Sequence, residues 1–198
     1  MKQPRSIQLL LAVTLVALFA SCKKEINSTR SAQVFDAPTV AAYTPPGGYC
    51  GYTEFTLLAG QTYNVGTIQV GNDDTNLYVT YSTTSGYMIT EAHLYVGTLE
   101  ALPVTNSGNA VPGHFPYNVT FTSGVTTYTI TIPLASLPNT NGCNVIAAHC
   151  VVKNDPTTNS TGFNQTGWIS GTRINDGGNW AMYNTWCNAT CVELPPEK

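Results

Sequence analysis

Two histidines and a glutamate in this chain are of the residue types that bind transition metals or build a buried polar network. Glu91 and His93 are two positions apart in the run Met88–Gly97, and His149 lies in the nearly apolar run Asn144–Val152. Residues two apart in an extended strand share a face, so Glu91 and His93 are predicted to point the same way. A histidine in a buried strand needs a polar partner, which places His149 near them if the two strands are neighbours.

The cluster of Glu91, His93 and His149 has two interpretations. In the first, Glu91 accepts hydrogen bonds from a histidine or from backbone amides, and the cluster fixes strand register without binding a ligand. In the second, the two imidazoles and the carboxylate form a three-ligand site for zinc or another transition metal, with one position open. The second interpretation requires the three donor groups to converge within about 2.0–2.2 Å of one point.

The run Met88–Gly97 has the longest two-residue period in the chain and is predicted to be a central strand. The alternation assigns two faces, with Met88, Ala92, Leu94 and Val96 on one and Ile89, Glu91, His93 and Tyr95 on the other.

Short runs of β-branched and aromatic residues recur along the rest of the chain, separated by turn residues. They predict an all-β fold, a single antiparallel β-sandwich or jelly-roll domain of about nine strands. Only Thr98–Leu102 has the pattern of a short helical turn. The predicted strands are 52–58, 62–70, 76–83, 87–97, 117–122, 125–133, 144–152, 166–171 and 178–185.

The N-terminus has the pattern of a lipoprotein export signal. Basic residues precede an apolar run, 7–20, that is shorter than the span of about 20 residues needed to cross a membrane. We therefore expect a signal peptide at 1–21, a lipidated Cys22, a flexible tether over 22–48 and a folded domain over 49–198. The predicted location is the outer membrane, lipid-anchored. Ordinary secretion without lipidation is the alternative.

Composition narrows the classes of partner. From Cys50 onwards the chain has three basic and nine acidic residues, a net charge of about −6 that opposes binding to nucleic acid. No nucleophile elbow, phosphate loop, dinucleotide fingerprint or HExxH motif occurs. An enzyme is therefore not the first expectation, and no cofactor is expected apart from a transition metal or calcium.

The cysteines indicate an oxidising compartment. With Cys22 lipidated, five remain: Cys50, Cys143, Cys150, Cys187 and Cys191. Two bridges and one free thiol are expected, with Cys50 joined to Cys187 or Cys191. Cys143 and Cys150 should not pair, because a strand between them would hold them about 23 Å apart.

The last quarter of the domain combines tryptophans with asparagines. Trp168, Asn179 and Trp186 are candidates for binding carbohydrate, because a flat ring stacks on a sugar face while amides bond its hydroxyls. The alternative is that the rings pack in the core. Trp180 is predicted to be buried and Trp168 to be the surface ring.

A second candidate cation site is the run 72–76, NDDTN, whose oxygen atoms suit calcium. A solvated turn is the preferred interpretation of the same residues.

Eight ordered blocks, among them LLAGQ, TEAHLYVG, PGHFPY, YTITIPL, IAAH and NWAMY, resemble a recurring, functionally uncharacterised domain of secreted bacterial proteins. The CKKE junction at residue 22 is similar to lipoproteins of the Bacteroidota. The resemblance implies a β-domain and brings no activity or catalytic residues with it.

The sequence thus predicts an outer-membrane lipoprotein presenting a binding or adhesion module, with a glycan or a surface protein as ligand. The alternatives are a fimbria-like structural subunit that assembles through its β-edges, and an enzyme acting on polysaccharide.

Overall fold

The computed structural model describes residues 33–35, 48–140, 142–158 and 162–191. The predicted signal peptide, Cys22 and all of the predicted tether except 33–35 and Gly48 lie outside these residues. The strands are β1 (Gln33–Phe35), β2 (Gly51–Ala59), β3 (Tyr63–Asn72), β4 (Asn76–Thr83), β5 (Tyr87–Gly97), β6 (Tyr117–Val125), β7 (Thr127–Pro133), β8 (Cys143–Asn154), β9 (Asn164–Ile169), β10 (Thr172–Arg173) and β11 (Met182–Cys187). Two 3-10 helices span Pro112–His114 and Leu134–Ser136.

The prediction of an all-β, antiparallel fold is confirmed. Strands β4 and β5 have the predicted bounds, and seven other predicted strands overlap β2, β3, β6, β7, β8, β9 and β11. The short strands β1 and β10 were not predicted, and β1 falls within the segment predicted to be an unstructured tether. Thr98–Leu102 forms a turn, in which the Leu102 N–H donates to the Leu99 carbonyl at 3.3 Å.

The strands follow the order β1-β6-β5-β8-β9-β2-β3-β4-β7, and β11 pairs with both β8 and β10. All pairings are antiparallel except the parallel contact of β1 with β6. The short strand β9 joins β8 to β2 and so links the two halves of the sheet. The result is a nearly closed sandwich in which the halves face each other.

The space between the halves is the main core, which we call the inner core. It contains fully buried side chains from both halves, including Leu57 and Ile68 from one and Leu94 and Ile146 from the other. Burying such aliphatic side chains stabilises the fold by about 1.5–3 kcal/mol each. The half that contains β5 and β8 therefore packs one face against the inner core. We call its opposite face the outer face.

A β-bulge in β5 changes which side chains reach the inner core. Ile89 pairs with Val152 and Glu91 with Val151, so Thr90 is an extra residue outside the register, and its hydroxyl donates to the Val151 carbonyl at 3.4 Å. The extra residue reverses the alternation, and Ile89 is fully buried in the inner core. The prediction that Ile89 shares the face of Glu91 is therefore wrong.

Two disulfides hold the ends of the domain. Cys50 is joined to Cys191, one of the two partners expected for it, and Cys143 is joined to Cys187 across β8 and β11. Cys150 is the free thiol and is fully buried in the inner core. The Cys50–Cys191 bridge thus links the two ends of the domain, whereas Cys143–Cys187 closes a shorter loop of 44 residues.

Within the described ranges, no helix has the length and apolar character required to cross a membrane.

Candidate functional site

The pairing of β5 with β8 brings together His93 and His149, the two histidines that the sequence pattern placed near each other. His93 and His149 are direct cross-strand partners, and Asn118 on β6 and Trp168 on β9 continue the same row. Directly opposed residues of antiparallel strands point to the same face. We call these four residues the imidazole row. It lies on the outer face, because Cys150, the next residue on β8, points into the inner core.

The two imidazoles of the row meet at a hydrogen-bonding distance. The Nδ1 atoms of His93 and His149 are 3.2 Å apart, and the ring centroids are 5.3 Å apart. The Trp168 ring lies 4.7 Å from that of His149, at an angle of 59°. If the Nδ1 atoms share a hydrogen bond, one ring carries its proton on Nδ1 and the other accepts it.

Burial keeps both imidazoles uncharged. Burial, and after it the repulsion that a second charged ring would feel from His93, together lower the pKa of His149 to about 3. Burial also lowers the pKa of His93, although the negative charge of Glu91 opposes this shift. At neutral pH both imidazoles are therefore uncharged, and each has one unprotonated nitrogen with a lone pair.

Glu91 does not complete the predicted three-ligand cluster. Its side chain is half-buried on the outer face and acts on His93 through charge, but it makes no hydrogen bond to any described residue. Among the described residues, three potential ligand atoms come within 4.8 Å of one another only at Cys50, Asp74 and Cys191. The first interpretation, in which Glu91 accepts a hydrogen bond, is also not what the structure shows.

An apolar layer covers one end of the imidazole row. Phe115, from the segment between β5 and β6, lies 6.2 Å from Trp168 and 6.0 Å from Tyr95, measured between ring centroids. Trp168 and His149 are buried beneath this layer, whereas His93 and Asn118 remain half-buried. Within the described residues, the site is thus closed at its tryptophan end and only partly covered at its β6 end, beside β1.

The tryptophans do not form a stacking surface. Trp168 is only 4% exposed and Trp186 only 5%, and they belong to different apolar clusters. The prediction of Trp168 as the surface ring is wrong, because the Phe115 layer covers it. Trp180 is half-buried against that layer rather than fully buried.

The asparagines near the tryptophans tie loops together. The Asn179 N–H donates to Asn109 Oδ1 at 2.8 Å, and Asn179 Oδ1 accepts from the Ala181 N–H at 3.4 Å. Asn175 Nδ2 donates to the Ser107 carbonyl at 2.8 Å. Asn179 is exposed, but with Trp168 and Trp186 buried the three do not form a common sugar site.

The run 72–76 forms the preferred turn. Asp73 Oδ1 accepts from the N–H groups of Thr75 and Asn76, and Oδ2 accepts from the Tyr78 hydroxyl at 2.7 Å. These bonds lower the pKa of Asp73 although burial opposes them, and they occupy oxygen atoms that calcium would need. Beside the turn lies a polar cleft of about 220 Å³. Asp74 borders this cleft near the Cys50–Cys191 bridge, whose sulfurs are not available as thiolates.

Asn118 is the member of the imidazole row that the sequence did not nominate. Its amide Nδ2 donates to the Phe115 carbonyl at 3.3 Å, which links the row to the covering layer. No local pattern marks this residue, because its role depends on the register of β6 against β5.

No protein-family model, curated protein or solved structure matches this chain, so the resemblance to a secreted bacterial domain stays a prediction.

Proposed function

We propose that this chain is an outer-membrane lipoprotein whose β-sandwich is a binding module, and that it contacts a carbohydrate through the open part of the outer face. The observation that carries this proposal is the group of half-buried polar side chains Glu91, His93 and Asn118 on a rigid sheet. The apolar layer around Phe115 covers the tryptophan end of this face, whereas these three side chains are only half-buried.

The chemistry of these groups suits a hydroxyl-rich ligand. A carboxylate accepts hydrogen bonds, an amide both donates and accepts, and a neutral imidazole does both through its two nitrogens. Glu91 has no hydrogen-bond partner among the described residues, so its oxygens are available to a ligand. Because the groups stand on paired strands, little ordering is needed on binding.

The surroundings of the imidazoles favour binding over nucleophilic catalysis. Within the described part of the chain, the sole hydrogen-bond partner of either imidazole is the other imidazole. A nucleophile activated by a histidine would instead place a hydroxyl or thiol at that distance. Cys150 is adjacent in sequence but points into the inner core, on the opposite face of β8.

A glycan array probed with the purified full chain tests the proposal. We expect binding to a restricted set of glycans, with a loss of about tenfold or more in the Glu91→Gln and His93→Ala variants, since each removes at least one hydrogen-bonding group. The matched control is His114→Ala, an exposed histidine outside the imidazole row. Glycan binding that both Glu91 and His93 variants retain in full would rule out this face.

The lipid anchor is tested separately in cells. Globomycin treatment or a Cys22→Ser variant should leave an unprocessed precursor and remove the chain from the outer-membrane fraction. Normal processing and location of the Cys22→Ser variant would contradict the proposed anchor.

A structural subunit is the second candidate, and the pairing of β1 with β6 favours it. The parallel contact of Gln33–Phe35 with Val119–Phe121 shows that the edge of β6 accepts an added strand. A strand from another chain could bind in the same way if it displaced β1. Sedimentation of the full chain over a wide concentration range tests this candidate, because ordered, concentration-dependent assembly would favour it over a monomeric binding module.

A further inference from the structure

We propose that His93 and His149 chelate one divalent transition-metal ion of the zinc class through their Nδ1 atoms. The inference rests on the proposed function, because the ion would occupy the same outer face and help hold the ligand there. It goes further in naming a metal, its two protein ligands and the atoms that bind it.

The spacing of the two nitrogens fits a common metal ion without any movement of the backbone. Zinc binds histidine nitrogen at about 2.0–2.1 Å, and ligand angles between about 90° and 110° place two such nitrogens about 2.8–3.4 Å apart. The Nδ1 atoms of His93 and His149 are 3.2 Å apart, inside this range. Two imidazoles on adjacent, directly paired strands are therefore already at the separation of a chelating pair.

Nothing else in the described structure uses these nitrogens. Neither ring has a hydrogen bond apart from the contact between the two Nδ1 atoms. With both protons on Nε2, the two Nδ1 lone pairs are free to bind one ion. The ring of His149 is fixed between His93 and Trp168, which limits the freedom that chelation would otherwise remove.

The donor set selects the class of ion. Imidazole nitrogens suit zinc, copper and nickel, whereas calcium and magnesium prefer oxygen ligands. Glu91 lies on the same face and its charge acts on His93, so it offsets part of the charge of a divalent ion. Water or ligand hydroxyls can fill the remaining coordination positions.

Calorimetric titration of the chelator-treated full chain with Zn²⁺ tests the site. We expect one ion per chain. The His93→Ala and His93→Gln variants should weaken binding by at least about 100-fold, the loss that removing even an outer partner of a metal ligand can cause. Glu91→Gln should weaken it by about 10-fold, and the His114→Ala control should bind as the unaltered chain does.

Circular dichroism establishes that each variant is folded. X-ray absorption of the zinc-loaded unaltered chain provides a second measurement that needs no variant, because it counts the imidazoles bound to the ion. Two bound imidazoles support the proposal. Absence of zinc uptake by the folded chain, uptake that His93→Gln leaves unchanged, or zinc bound without imidazole overturns it.

Zinc uptake and glycan binding, both measured on the same preparation, distinguish the metal proposal from the proposed function. Glycan binding that persists in chelator, together with no zinc uptake, would leave the binding module standing and remove the metal. Zinc uptake that depends on His93, with no glycan bound, would establish the metal site and contradict the carbohydrate proposal.

Discussion

Two neighbouring titratable residues of β8 point to opposite faces of the strand and have different surroundings. His149 points to the outer face and Cys150 to the inner core, and burial shifts the pKa of each towards the neutral form, downwards for the imidazole and upwards for the thiol. Cys150 is surrounded by apolar side chains, whereas His149 has another imidazole within reach. The inner face of β8 is thus buried in the core, whereas the outer face is covered by the Phe115 layer at one end.

Acid should destabilise the metal-free chain through the outer face. The folded pKa of His149, about 3, lies below its unfolded value near 6.5, so the unfolded state binds more protons between these pH values. Stability is then fully present above pH 6.5 and falls as the pH drops through 3, by about 5 kcal/mol in all.

Urea unfolding in chelator, at steps from pH 7 to pH 4.5, measures this effect together with that of His93, whose pKa is also lowered by burial. Between about 2 and 3 kcal/mol should be lost over that range because of His149. Asp73, whose pKa lies below 3.8, contributes only at lower pH, and the charges that face His149 are His93 and, beyond it, Glu91. Equal stability at pH 7 and pH 4.5 would contradict a buried neutral His149.

A cavity in the inner core should have the next largest effect. Ile146→Ala removes a fully buried side chain from β8 and should lower the free energy of unfolding by about 3 kcal/mol. Val151→Ala on the half-buried outer face of the same strand is the matched control and should cost less than about 1 kcal/mol. Similar losses for the two variants would show that the faces do not differ in packing.

Introducing a hydroxyl on the inner face should lower the free energy of unfolding by less than the cavity does, but by a measurable amount. Cys150→Ser places a polar group among mainly apolar side chains and should destabilise the fold by about 2 kcal/mol, because the nearby Tyr81 hydroxyl already donates to the His93 carbonyl. Comparison with Cys150→Ala in urea unfolding separates this penalty from lost volume. A serine variant as stable as the alanine variant would indicate a polar partner on this face.

Removing charge from the outer face should have the smallest effect on stability. Glu91→Gln keeps the shape of a half-buried side chain that has no hydrogen bond in the described structure, so the expected change is within about 0.5 kcal/mol. Thermal unfolding measures this value beside ligand binding. A large loss of stability would show that Glu91 is a structural residue rather than a binding one.

The meeting of the two histidines could be predicted from the sequence because burial restricts what a polar side chain can do. The apolar run around His149 indicated a buried strand, and a buried imidazole needs a polar partner. The exact neighbours could not be predicted in this way. They depend on register, and Asn118 joins the row only because β6 pairs with β5 at that residue.

Two errors show where local pattern fails. The bulge at Thr90 reversed the alternation of β5, and nothing in the sequence around a threonine marks such an insertion. The flanking Gly167 favoured an exposed position for Trp168. In the structure a side chain at Gly167 would meet Cys150 Sγ at 2.9 Å, so this glycine allows close packing of β9 on β8 rather than exposure.

The Cys50–Cys191 bridge has a mechanical consequence. A pull on the chain from its N-terminal side first loads the short pairing of β1 with β6 and then reaches Cys50, one residue before β2 begins. Without the bridge, the load would peel β2 from β3 one hydrogen bond at a time. With it, the load is shared with the segment at Cys191, which the Asn72 side chain also holds through two hydrogen bonds to Ala189. The N-terminal end of the sandwich is thus held at two points, the disulfide and the Asn72 side chain.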